Sequence, residues 1–168
     1  MEYLVLIFLH VLFGIFWAGA AIATGLFIIP SVLDAGPAGA AVMAGVVKRK
    51  LPLLLVIAAG IVVLTGIRLY MIRFSSVWLT SPEGIVLTLG GLLALAAFGM
   101  GVFVQKPTVE RIGALSAAIA RAGAPPTPDQ AAELQVLRAR LRKIAAVTAW
   151  HLVGAVTLMS VHRLALAF

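Results

Sequence analysis

No cysteine occurs among the 168 residues. That removes disulfides, thiolate zinc sites, iron–sulfur clusters and cysteine nucleophiles together, so any redox chemistry has to come from a bound cofactor. Acidic residues are scarce too, six in all, and none lies deep in an apolar run. Without buried carboxylates, acidic proton relays and oxygen-rich sites for calcium or magnesium have little to stand on. Charge of either sign amounts to only 11% of the chain, against 62% hydrophobic residues. Soluble domains have about 25% charged residues. The sequence therefore describes an integral membrane protein.

Four apolar runs are each long enough to cross a hydrocarbon core of about 30 Å, which takes about 20 helical residues. They are roughly Tyr3–Leu33, Leu51–Ile72, Gly84–Gln105 and Ile144–Phe168. The first lacks a basic leader, starting Met1-Glu2-Tyr3, and its apolar stretch exceeds a signal peptide's core, so it reads as a retained span. The expected fold is all-α: one transmembrane four-helix bundle of up-down topology spanning 1–168, with a charged amphipathic loop at 106–143.

The net charge of +7 is distributed unevenly. Lys48, Arg49, Lys50, Lys106, Arg111, Arg121, Arg138, Arg140, Arg142 and Lys143 fall in the loops after the first and third spans, leaving Arg68, Arg73 and Arg163 on the other side. The positive-inside rule puts the basic loops in the cytoplasm and both termini outside, in a plasma (inner) membrane of bacterial type. The basic excess thus reports topology and argues against a nucleic-acid partner.

Within the runs, Gly14, Ala18, Ala21 and Gly25 form a small-residue stripe on span one, which is expected to end at Pro30. A loop at Ala35–Gly39 and a short helix toward Lys48 follow, and Pro52 suits the first turn of span two. Trp78 is placed as an interfacial anchor, span three is glycine-rich, and Pro107–Arg121 carries an apolar stripe suited to an interfacial helix. After a break at Gly123–Pro126, Thr127-Pro128-Asp129 reads as an N-cap opening a helix that continues into span four.

Intramembrane ionisable groups are costly and mark function by default. Here they are His10, His151 and His162, with Arg68, Arg73 and Arg163 near one boundary. At about 1.5 Å per residue, His10 lies roughly 10 Å in from Tyr3 and His162 roughly 9 Å in from the end of span four. Two imidazoles at one depth, on spans that adjoin in a closed bundle, are the arrangement of a six-coordinate haem b, with guanidiniums pairing its propionates. Gly14 and the stripe below His10 leave room for a flat macrocycle. His151 stands about 16 Å from His162 on the same face, the spacing of a second stacked haem. Met100 is at a depth to supply the missing ligand, or His151 handles protons. The plain alternatives are packing histidines, interfacial arginines and copper, which also suits histidine and methionine.

Leu9-His10, six residues, then Trp17-Ala18-Gly19 and an apolar stretch to Pro30 resemble the first-helix signature of small four-helix membrane proteins of the CopD (copper-resistance) and HemJ (membrane protoporphyrinogen oxidase) type. Lys48-Arg49-Lys50-Leu51-Pro52, ending in Thr65-Gly66, is similar to the start of the second helix in HemJ-like proteins. The resemblance covers about 70 residues of the first two spans; it implies His10 as a haem ligand, with Trp17 and Gly19 as its packing context. Span three lacks the lysine that HemJ-like proteins carry there. The closing Trp150-His151 and His162-Arg163 look more like a haem-bearing cytochrome b.

The expectation is a membrane cytochrome-like protein binding haem b, one or two, in electron transfer with a quinol or a redox partner protein. It acts alone, as a homo-oligomer or as a subunit of a larger complex. Whether it is a membrane oxidoreductase stays open. The alternatives are a non-catalytic subunit or CopD-like copper transporter, and a HemJ-like oxidase.

Overall fold

The computed structural model describes residues 1–162, and every regular element among them is helical. Six helices follow one another: α1 (Glu2–Asp34), α2 (Gly36–Lys48), α3 (Leu51–Arg73), α4 (Ser76–Thr80), α5 (Pro82–Ala122) and α6 (Pro128–Val161). Four of them, α1, α3, α5 and α6, are long and apolar enough to cross a bilayer, which marks a membrane protein by length and composition. Their outward surfaces agree: Phe8, Ile15, Leu64, Leu92, Phe103 and Trp150 are all exposed, a ring of apolar surface that water would not tolerate on a monomer.

Two helices run past the places where the sequence suggests a stop. Pro30 does not end α1, and Pro107 does not separate an interfacial helix from span three. The reason is the same at both sites. A proline has no N–H and its ring crowds the carbonyl four residues back, and in each helix a wider π turn occupies the five residues ending two before the proline. These turns are Thr24–Ile28, with Ile29 N–H donating to the Thr24 carbonyl, and Gly101–Gln105, with Lys106 N–H donating to the Gly101 carbonyl. The extra backbone in a π turn accommodates the ring without breaking the helix. The apolar stripe of 107–121 consequently packs on α6: Leu115 is buried, Ile112 touches the Ile29–Leu141–Ala145 cluster, and Arg111 donates to Glu133 at 2.6 Å.

Helix ends follow the local chemistry. Gly123 takes a left-handed conformation (φ 64°) just past α5, which only glycine adopts freely. Thr127 accepts from Gln130 N–H while the Gln130 side chain accepts from Thr127 N–H, a reciprocal capping box that starts α6.

Packing pairs α1 with α3 and α5 with α6, and α1 also lies along α6, whereas α3 and α5 barely touch. The middle is a core of Trp17, Ala58, Ala59, Val62, Ala97 and Leu152, to which each long helix contributes. Its many alanines let backbones come close, the usual basis of helix association in membranes. Gly25 does the same between α1 and α6, where an added Cβ would meet the Ala145 carbonyl at 2.6 Å. The sparse α3–α5 contact leaves a cleft toward the end bearing Tyr3 and Arg73.

Candidate functional site

The cleft encloses about 1190 Å³. Trp17, Val62 and Leu152 belong both to the central core and to its lining, so the core is its floor. His10 and His162 both line it, as do Gly14, Tyr3 and Arg73. The spans that carry the two histidines, α1 and α6, lie against each other.

His10 is held from the facing helix. Its Nδ1 lies 3.0 Å from the Val62 carbonyl and 3.1 Å from Thr65 Oγ1, and Thr65 in turn donates to the Ile61 carbonyl at 2.6 Å. A carbonyl oxygen only accepts, so Nδ1 carries the proton and Nε2 keeps its lone pair. Gly66 makes this approach feasible: a Cβ there would stand 2.8 Å from His10 Cε1. His162 shows the same logic within its own helix, Nδ1 donating to the Met159 carbonyl at 2.6 Å. An imidazole fixed by Nδ1–H to a backbone carbonyl, with Nε2 free, is the form in which histidine ligates a metal.

His151 also donates through Nδ1, to the Val147 carbonyl at 2.8 Å, but it is not part of the cleft lining, and neither is Met100. The arginines divide. Arg73 lines the cleft, where it pairs with Glu83 and donates to Tyr3 Oη at 2.8 Å. Arg68 does not line it and instead donates to Glu2 at 2.8 Å. Arg163 lies outside the described residues. Trp17 is buried at 7% exposure and Gly14 has open space where a Cβ would project.

Sequence reasoning missed the polar rim of the cleft. Tyr70 Oη lies 3.0 Å from Thr88 Oγ1, one of the few ties between α3 and α5, and Trp78 stacks edge-on to Tyr70 at 5.2 Å. Trp78 is thus folded against the cleft, and its indole N–H is buried with no hydrogen-bond partner among the described residues. A buried unpaired donor is costly, and this one belongs to the rim beside Arg73 and Tyr3. The only sequence signal was the cluster of polar and aromatic residues in the short segment 70–88.

Among the described residues no three His, Cys, Asp or Glu side chains gather as a metal-binding group. The site is therefore two preoriented imidazoles and an arginine in one apolar cleft of an all-helical membrane protein. No known protein family, curated protein or solved structure matches the chain.

Proposed function

We propose that the protein is a membrane-spanning, up-down four-helix cytochrome-like protein that holds one haem b in the cleft and takes electrons from a quinol or passes them to a quinone. The observation that carries this reading is that His10 and His162, from adjoining helices, line the same cavity, each with Nδ1 committed to a carbonyl and Nε2 left for a ligand. Bis-imidazole ligation of a porphyrin iron needs only two protein ligands, which fits a site where no three-residue metal cluster forms among the described residues.

The residues fit the group in three ways. His10 and His162 would supply the iron's two protein ligands. Arg73, with Tyr3 and the unpaired Trp78 indole beside it, would pair carboxylates at the polar rim. Gly14 leaves volume for a flat ring. When bound, haem b supplies a one-electron couple. The chain's own part is to exclude water with its Trp17–Leu152 floor and to fix both imidazoles. The α3–α5 gap opens the cleft sideways, the direction from which a lipid-soluble quinol arrives. The basic loops favour a cytoplasmic location for the end opposite the cleft.

Absorption spectra of the purified protein, oxidised and dithionite-reduced, test the proposal. The expected result is a Soret band with sharp reduced α and β bands. His10→Ala or His162→Ala should each abolish the low-spin form while leaving helical circular dichroism intact. Colourless protein from cells supplied with haem overturns it.

A further inference from the structure

A second cavity, of about 600 Å³, lies at the other end of the molecule on the first half of α6 and is lined by Arg138, Arg142, Lys143, Gln135, Leu33 and Ala146. Arg138 and Arg142, four residues apart, project from one side of the helix, and Lys143 lines the groove beside them. Arg142 is paired with Asp34 of α1, whereas Arg138 and Lys143 have no acidic partner among the described residues. No carboxylate lines the cavity, so the groove carries a net positive charge.

Its place along the helix is as informative as its charge. The apolar part of α6 starts at Ile144, so the cations stand just beyond the hydrocarbon boundary while Ala146 and Leu33 line the groove on the apolar side. The structure assigns this groove to an anionic phospholipid of the surrounding bilayer, its phosphodiester held by Arg138, Arg142 and Lys143 and the start of an acyl chain lying against Leu33 and Ala146. Basic pockets between helices at a membrane boundary take such head groups, and a guanidinium pair matches a phosphate geometrically. Asp34 holds Arg142 across from α1, so the lipid would bridge two helices joined at that end by this pair and the Ile29–Leu141–Ala145 cluster. The inference rests on the membrane-spanning part of the proposed function and not on haem.

The test is native mass spectrometry of the full chain, delipidated in detergent and offered phosphatidylglycerol, phosphatidylcholine or inorganic phosphate. A retained phosphatidylglycerol adduct, absent with phosphatidylcholine, is expected. In the double variant Arg138→Gln, Lys143→Gln it should weaken about fivefold per charge removed, roughly 30-fold together. The charge-matched pair Arg49→Gln, Arg121→Gln, neither of which lines the groove, should retain it. Equal retention of both lipids, equal loss in both double variants, or a phosphate adduct as stable as the lipid's would overturn the assignment. A chain that stays soluble without detergent would overturn the membrane reading itself, an outcome distinguishable from all of these.

Discussion

The His10 ring lies over Gly66, so closely that a Cβ at that position would come within 2.8 Å of its Cε1. The histidine on the first helix is thus positioned by the absence of a side chain on the third, and the Val62 carbonyl, one turn before, and the Thr65 hydroxyl, the adjacent residue, complete its seat.

Gly66→Ala tests that seat. Alanine is the better helix former by about 0.5–1 kcal/mol, so α3 itself should gain from the change. The displaced imidazole should lose its bond to Val62, and the expected outcome is a high-spin or weakened haem spectrum in a protein with wild-type helical content. An unaltered spectrum would show that His10 does not need this seat.

His151 is the contrast. It donates to its own helix and stands outside the cleft lining, so His151→Ala is expected to leave the low-spin bands unchanged. A haem-to-protein ratio of one should accompany it. A ratio of two that falls to one in this variant would place a second haem at His151.

The two outer arginine pairs should differ in worth. Arg68 and Glu2 are exposed, 51% and 61%, and pairs of that kind contribute about 0–1 kcal/mol. Glu83 beside Arg73 is only 13% exposed, and a largely buried group that loses its partner costs about 1–3 kcal/mol. Arg73→Gln should therefore lower the thermal midpoint in detergent clearly more than Arg68→Gln, and it should also weaken haem retention. Equal shifts would contradict the division.

Gly25 is the contact point between α1 and α6. An added methyl meets backbone, the Ala145 carbonyl at 2.6 Å, which cannot swing away as a flexible side chain would. Gly25→Ala is expected to cost about 1–3 kcal/mol, the usual range for overpacking, whereas Gly14→Ala, with open space around it, should be close to neutral for stability. Thermal unfolding monitored by circular dichroism checks both.

Much of the architecture was legible along the chain. Long apolar runs with no carboxylate within them have few options other than helices in lipid, and Thr127 with Gln130 and Gly123 announce their helix ends by local hydrogen bonding and backbone freedom alone. The two prolines misled, because Pro30 and Pro107 read as stops when each is preceded by a π turn, a backbone adjustment with no reliable composition signature. The arginines were not separable along the chain: Arg68 and Arg73 read alike as cations near one boundary, and only the packing of α3 turns Arg73 into the cleft and leaves Arg68 with Glu2.

The sequence by itself determined that this is an all-helical, membrane-type chain with three histidines at defined levels, because hydropathy and helical rise are properties of neighbouring residues. Only the tertiary structure decided that His10 and His162 share a cavity, that His151 and Arg68 lie apart from it, and that Trp78, Tyr70 and Glu83 form its rim. Those relations depend on which helices touch. Here α1 lies along α6 while α3 and α5 stand apart, and that is set by where small residues such as Gly25, Ala59 and Ala97 let backbones approach.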